Sequence, residues 1–438
     1  MRRRAGRNET GETTMKNKYL LAIAGALTLA LTNGMALAQG APQCPVKIGA
    51  VIPLTGPQGP IGKPIADSTQ LAVEHVSAAG GIKGCPVELA LRDDTGQPTL
   101  GVDAARYLVD VQKVPAIVGV VGSGIATAIV SSVTTAAKIP MVSCCAVTPT
   151  LTRLSEEGKT GGYFFRTIPT SRVFGVAHAV AATDRGYKNP VVIYVNNDFG
   201  SSLLRDIEKA LGTLGGKIAG AVPYNENQPS YRTEVNQALA MKGDALILLA
   251  FSQDGATIAR EWISLGGTQN LVLHNTLRST DFINAVGARF LTKAVGIDNA
   301  QVAGPSVDAF NAGFKAKFNR DPIGPGLHTG YDAVVVTALA MQQAAALDGT
   351  AIRDTLRLVQ DPAGETVIPG VEGIKKGLEA IKAGRKVRYV GATGPFTFDK
   401  NGDVTGPALV WKVEDGKLVT DKVIDLEQMT ALFRRIGF

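Results

Sequence analysis

The sequence predicts an α/β fold in which parallel sheets carry helices on both faces. Strand-like and helix-like patterns alternate through most of the chain beyond residue 45. The first stretch, Val46 to Asp94, reads strand, loop, helix, turn, strand, which is a βαβ unit. After Tyr163–Thr167 the alternation starts again, giving a second α/β half that resembles the first in architecture without being an obvious sequence repeat.

The elements follow in order. An apolar strand, Val46–Pro53, runs into the loop Thr55-Gly56-Pro57-Gln58-Gly59-Pro60, then a helix, then the turn Ala79-Gly80-Gly81-Ile82, then a strand ending in Arg92-Asp93-Asp94. The pair Asp93-Asp94 reads as a solvated strand end. Strand Ala116–Val121 closes in Gly122-Ser123-Gly124, and helix Ile125–Lys138 follows. Strand Ile139–Ser143, the loop Cys144–Thr150 and a crossing strand Tyr163–Thr167 complete the half. The second half runs through helix Arg172–Arg185, strand Pro190–Asn196, the loop Asn197-Asp198-Phe199-Gly200 and a helix closing at Gly215-Gly216. Strand Ile218–Pro223, helix Tyr231–Lys242, strand Ala245–Phe251, helix Gly255–Leu265 and strand Leu271–His274 follow. Helices Val307–Asn319 and Tyr331–Leu347 return to the first half. Residues 394–403 read as a hairpin on an Asn401-Gly402 turn, and Ala408–Val413 pairs with Lys417–Thr420 across Asp415-Gly416.

Ahead of this lies a secretory leader. Lys16 and Lys18 form its basic region, Tyr19–Leu31 its apolar region and Ala36-Leu37-Ala38 its cleavage site, so the mature chain begins at Gln39. Met15 reads as the true start, because residues 1–14 fit this pattern poorly. Arg2-Arg3-Arg4 lies too far from the apolar region for a twin-arginine signal, and Cys44 lacks a lipobox. No other uninterrupted apolar run reaches ~18 residues.

The formal charge of +7 is mostly the leader's, whose six basic and two acidic residues carry +4 and leave the mature chain near +3. That balance gives no argument for a nucleic-acid partner. With 45% hydrophobic and 19% charged residues the chain is of ordinary globular composition. About 400 mature residues suffice for two large lobes.

Export permits disulfides. Cys44 opens Cys-Pro-Val-Lys and Cys85 opens Cys-Pro-Val-Glu, each at the same point before a strand of one βαβ unit. Adjacent parallel strands lie ~4.8 Å apart, within disulfide reach, so Cys44 and Cys85 are expected to be bridged. Cys144 and Cys145 read either as two small buried thiols or as a vicinal disulfide, with the thiols favoured.

Enzyme signatures are missing. Gly119-Val-Val-Gly122-Ser-Gly124 has the wrong spacing for a dinucleotide loop, and there is no Walker A sequence. His75, His178, His274 and His328 are scattered without metal-ligand spacing, and no Gly-x-Ser-x-Gly elbow occurs. The reading is no enzyme, no metal and no cofactor, with an exported α/β hydrolase as the distant alternative.

Several stretches together carry a resemblance: Val46–Asp94, Ser143–Thr152, Tyr163–Pro169, Val192–Gly200, Gly330-Tyr331-Asp332-Ala333 and Gly394–Lys417, in this order. The set is similar to the extracytoplasmic solute-binding proteins of the leucine/isoleucine/valine-binding type. The resemblance implies a type I periplasmic-binding-protein fold with two Rossmann-like lobes, three hinge crossings and a ligand in the cleft between them. Residues 39–167 and 300–398 would form the N-terminal lobe, and 168–299 and 399–438 the C-terminal lobe. It implies a periplasmic monomer that delivers a small solute to an ABC transporter permease; a sensor on the same fold is the alternative.

Ligands of open α/β sheets bind beyond the carboxyl ends of strands. Ser123 stands there, before a helix N-terminus whose free N–H groups favour a carboxylate, and the family places a serine on the ligand's carboxylate. The loop Ser143–Pro149 resembles the family's second clamp. Val147 takes the place of a usual threonine, with Thr148 one residue later, and the backbone of Cys145, Ala146 and Val147 offers donors. Phe199 and Phe251 match usual aromatic positions and would cover an apolar or flat ligand. In His274-Asn275-Thr276-Leu277-Arg278 no acid stands where amino-acid binders pair the ligand ammonium, and none occurs between Glu261 and Asp281. Asn275 and Thr276 would meet a different polar group, and Arg278 reads as solvated surface, with pairing to an acid as the alternative. This favours a hydrophobic or aromatic carboxylate over a branched-chain or other hydrophobic amino acid, since a desolvated, unpaired ammonium costs several kcal/mol.

Overall fold

The computed structural model describes residues 43–438, so the leader and the processing point before Gln39 lie outside the described residues. Strand β1 (Val46–Val51) enters the core at once. Val46, Ile48, Ala50 and Val51 are all buried, as a parallel strand covered on both faces must be. It lies between β2 (Val87–Arg92) and β3 (Ile117–Gly119), followed outward by β4 (Met141–Ser143) and β5 (Phe164–Arg166). This gives a five-stranded parallel sheet in the order β2-β1-β3-β4-β5. Strands β1 and β3 each end two residues earlier than the apolar pattern suggests, at Val51 and Gly119. Gly119 and Val120 both take positive φ, 85° and 55°, which ends β3 two residues before Val121. The helix expected from Ile125 starts at Ser123, passes through a π turn at Val130–Thr134 and stops at Ala137.

The chain leaves this sheet between Arg166 and Ser171 and builds a second one. Strands β6 (Val191–Val195), β7 (Gly220–Tyr224), β8 (Leu246–Leu249), β9 (Leu271–Leu273) and β10 (Val295–Asn299) run parallel in the order β10-β9-β8-β6-β7. Between Asn299 and Pro305 it crosses back. Helix Leu327–Gln343 then packs against helix Gly59–Ala78 of the first half. A three-stranded sheet of β11 (Glu365–Val367), β12 (Val387–Gly391) and β13 (Gly394–Pro395) follows, and sequence patterning does not show it. A third crossing leads to β14 (Ala408–Glu414) and β15 (Lys417–Ile424), an antiparallel pair that extends the second sheet to seven strands through β10. Residues 44–438 cluster as one compact unit, and among the described residues no helix is long and apolar enough to cross a membrane.

Residues 394–403 do not form the expected hairpin. Gly394 and Pro395 pair with Val390 and Gly391 instead. Asn401-Gly402 is a turn closed by Asp399, whose carboxylate accepts from the N–H groups of Asn401 and Asp403 at 2.8 and 2.9 Å. Gly402 takes φ of 82°, and a Cβ there would stand 2.1 Å from the Phe164 carbonyl oxygen. The expected solvated end at Asp93-Asp94 is also corrected. Asp93 caps the Leu54–Thr55 loop (Leu54 N to Oδ1 2.8 Å, Thr55 Oγ1 to Oδ2 2.6 Å), and Asp94 is fully buried.

Both cysteine pairs are oxidised. Cys44 and Cys85 are bridged as expected, with Cα atoms 5.2 Å apart. Cys144 and Cys145 form a vicinal disulfide, not two thiols. Packing brings adjacent side chains together in a loop pinned from both sides, which residue type alone does not reveal.

Candidate ligand-binding site

A cavity of about 470 Å³, counted out to its open mouth, lies where the strand ends of the two sheets face each other. Ser123, Cys145 and Val147 line it from the first sheet, with Ile61, Ile65 and Gly122. Phe199, Phe251, His274, Asn275 and Thr276 line it from the second. Seven of the nine residues expected at the site therefore meet in one cavity. None of the described residues lining it is charged.

The first wall rests on backbone. Gly122 is the N-cap of the helix that begins at Ser123, so the first-turn N–H groups point out of the helix beside the Ser123 hydroxyl. The Ser143 hydroxyl donates to the Val120 carbonyl at 2.9 Å and accepts from the N–H groups of Cys145 and Ala146 at 3.3 and 3.1 Å. The donor expected at Cys145 is therefore already engaged. Among the described residues the Val147 N–H has no acceptor. Ala146 and Thr148 do not line the cavity. Their carbonyls both accept from Arg166 at 2.9 Å, and the Thr148 hydroxyl accepts from Thr150 N to cap the next helix. Arg166 is completely buried and also pairs with Asp403 and Thr152 at 2.6 Å each. Gly326, with φ of 78°, closes the wall. A Cβ there would come within 2.6 Å of Ile65 and 2.8 Å of the Cys145 sulfur.

The second wall rests on side chains. Phe199 was expected in a polar loop but sits in the first turn of helix Asp198–Thr213, capped by Asn197 accepting from Gly200 N at 3.1 Å. It is buried and still faces the cavity, stacked on Phe251 with ring centroids 5.6 Å apart. Behind it stand Phe174, His178 and His274. Burial pushes His178 down to about 4 and His274 well below the usual imidazole range, so both are neutral. Arg278 is not solvated surface. It pairs with the buried Asp298 at 2.9 Å, and Asp298 also accepts from Asn275 Nδ2 at 3.1 Å. The Thr276 hydroxyl donates to the Ala250 carbonyl at 2.5 Å. The walls touch outside the cavity, where the Thr148 and Ser202 hydroxyls are 3.2 Å apart and the Thr150 hydroxyl donates to Asp198 at 3.3 Å.

Sequence reasoning missed Ile61, Ile65, Ile168, Pro325, Gly326 and His274. Of these His274 alone carried a signal, a polar residue at a strand's carboxyl end.

Comparisons with known proteins agree with this geometry. Residues 45–417 match the family described as periplasmic binding protein. The chain is 26% identical over 358 residues to the chemotactic signal transduction system substrate-binding protein BasB of Halobacterium salinarum, covering 80% of this chain and 82% of that one. The crystal structure of the leucine binding protein LivK from Thermotoga maritima superposes with a TM-score of 0.74 at 23% identity, covering 87% of this chain and 99% of that one. An ABC transporter solute binding protein from R. palustris, solved in complex with benzoate, superposes with a TM-score of 0.69 at 18% identity, covering 87% and 96%. This chain belongs to the periplasmic binding protein family, in the branch of the leucine/isoleucine/valine-binding type, and has the type I fold of that family.

Proposed function

We propose that this protein captures a small hydrophobic or aromatic carboxylate outside the cytoplasm and delivers it to the permease of an ABC importer. The cavity lining carries the reading. One wall offers Ser123 and the N–H groups of a helix N-terminus to an anion. The other offers two stacked phenyl rings and no charge. A free amino acid would bring an ammonium that meets no counter-charge there, at a cost of several kcal/mol. Glu226 and Asp254 lie outside this lining, and burial raises both carboxyls. The benzoate complex of the R. palustris protein supports the ligand class, the leader read over residues 1–38 supports a periplasmic location, and the protein acts there as a monomer. The lobes are 39–167 with 300–398 and 168–299 with 399–438, and they close on the ligand about the three crossings.

The deciding experiment titrates matched pairs calorimetrically: leucine against 4-methylpentanoate, and phenylalanine against 3-phenylpropanoate and benzoate. The acids should bind and the amino acids should not; the reverse order would overturn the ligand class. Small-angle scattering with and without ligand tests closure through the radius of gyration. Similarity to BasB favours one second reading, a receptor that reports its ligand to a signalling partner. Genes for a permease and an ATPase beside this one would decide for transport.

A further inference from the structure

His274 is the side chain of the second wall that has no commitment elsewhere. Asn275 gives an amide hydrogen to Asp298 and Thr276 gives its hydroxyl hydrogen to Ala250. His274 is 1% exposed, lines the cavity, and its Nδ1 is buried without a partner. A polar atom in that state costs stability unless something satisfies it.

Its surroundings fix the ring. His178 stacks on it with centroids 5.3 Å apart and planes 18° apart, Phe174 meets it edge-on at 5.2 Å, and Phe199 tilts against it at 5.2 Å. His178 is itself oriented, because its Nδ1 is 2.8 Å from the Phe174 carbonyl and must donate to it. Three rings and a strand end therefore hold a neutral imidazole in the wall of the cavity.

We propose that His274 is the specificity-determining residue of this cavity, that it hydrogen-bonds a hydroxyl group of the ligand, and that the ligands are hydroxylated small carboxylates. This rests on the carboxylate reading above and narrows it. A hydroxyl both donates and accepts, so it satisfies the imidazole in either neutral tautomer. A carbonyl satisfies only the tautomer with N–H directed at it. An ammonium could meet the lone pair but would bring an uncompensated charge into an apolar enclosure. A site with a buried hydrogen-bonding group also discriminates strongly against the analogue that leaves it unpaired.

The test titrates the exported chain calorimetrically with benzoate and with 2-, 3- and 4-hydroxybenzoate, for wild type and for His274→Phe. In wild type at least one hydroxylated isomer should bind about tenfold more tightly than benzoate. In His274→Phe the ratio of hydroxybenzoate to benzoate affinity should fall to about one, whatever the affinity for benzoate itself. Equal affinity for all four acids in wild type overturns the proposal, and so does an advantage that survives in His274→Phe. Leucine binding with no aromatic acid bound is a distinct outcome, which overturns the carboxylate reading and the hydroxyl contact with it. Imidazole ¹⁵N shifts in wild type give a second measurement that needs no folded variant. The hydroxylated ligand should move the His274 signals and benzoate should not; unmoved signals with bound hydroxybenzoate overturn the proposal.

Discussion

The two walls of the cavity are made by different means. The first is a backbone wall: a helix N-terminus at Ser123 and a loop pinned by Ser143, a vicinal disulfide and Arg166. The second is a side-chain wall of Phe199, Phe251 and His274, set by ring stacking. Backbone N–H groups and a helix dipole respond to the charge of a ligand and barely to its shape. Packed rings respond to shape and to single polar atoms. The difference separates what makes a ligand acceptable from what makes it preferred, and each wall can be disturbed without the other.

The largest effect should come from Arg166→Met. It removes a guanidinium held by Asp403, Thr152 and two carbonyls of the first wall. Breaking a buried pair in this way should cost about 3–5 kcal/mol in urea unfolding. Arg278→Met, against the partly solvated pair behind the second wall, should cost about 1–3 kcal/mol. Equal losses would remove the contrast.

Both disulfides belong to the first half. The double change Cys44→Ser, Cys85→Ser opens a loop with a sequence separation of 41 and should lower stability by about 2–4 kcal/mol. Hydrogen exchange should rise in β1 and β2 and stay unchanged in β6 to β10; a uniform rise would show that the halves unfold as one.

The halves should also respond to acid with opposite signs. Burial pushes the Asp94 carboxyl up to about 6 and holds the His178 imidazole down at about 4. For Asp94 the folded state binds the proton more tightly than the unfolded state, so its contribution is full below about pH 4 and is lost as pH rises through 6. For His178 the folded state binds the proton less tightly. Its contribution is full above about pH 6.5 and is lost as pH falls through 4. Each change is on the order of 3 kcal/mol. Between pH 4 and 7, Asp94→Asn should gain on wild type as pH rises and His178→Phe as pH falls. Slopes of the same sign in thermal unfolding would refute the assignment.

The smallest effect on the fold, and the sharpest on the first wall, should be Ser123→Ala. Affinity for the carboxylate should fall by about 1–3 kcal/mol while the unfolding midpoint barely moves. A loss of stability without a loss of affinity would make Ser123 a structural residue only.

The alternation of elements, the strand-end position of Ser123 and the Cys44–Cys85 bridge were legible because each depends on local pattern or on neighbouring strands, whereas Phe199 and Phe251 came from the family resemblance alone. What stayed hidden depends on partners far along the chain. Arg166 meets Asp403 across 237 residues and Asn275 meets Asp298 across 23. The sheet of β11, β12 and β13 has strands too short to show a period. Asp332 is hidden for the same reason: its four hydrogen bonds come from Tyr389, Ala392 and Thr393. His274 could be seen at a strand end, but its lack of a partner appears only when the commitments of Asn275 and Thr276 are known.

The Arg166 guanidinium also sets what this loop is free to become. By holding the carbonyls of Ala146 and Thr148 it fixes alternate residues and leaves Cys145 and Val147 turned to the cavity. The anchoring bonds involve main-chain oxygens, so they survive a change of side chain at any of the four positions. Variation at 147 can therefore explore new ligands while the scaffold stays constant, whereas a change at 145 also opens the vicinal disulfide, which makes 147 the natural place to begin a library of altered receptors.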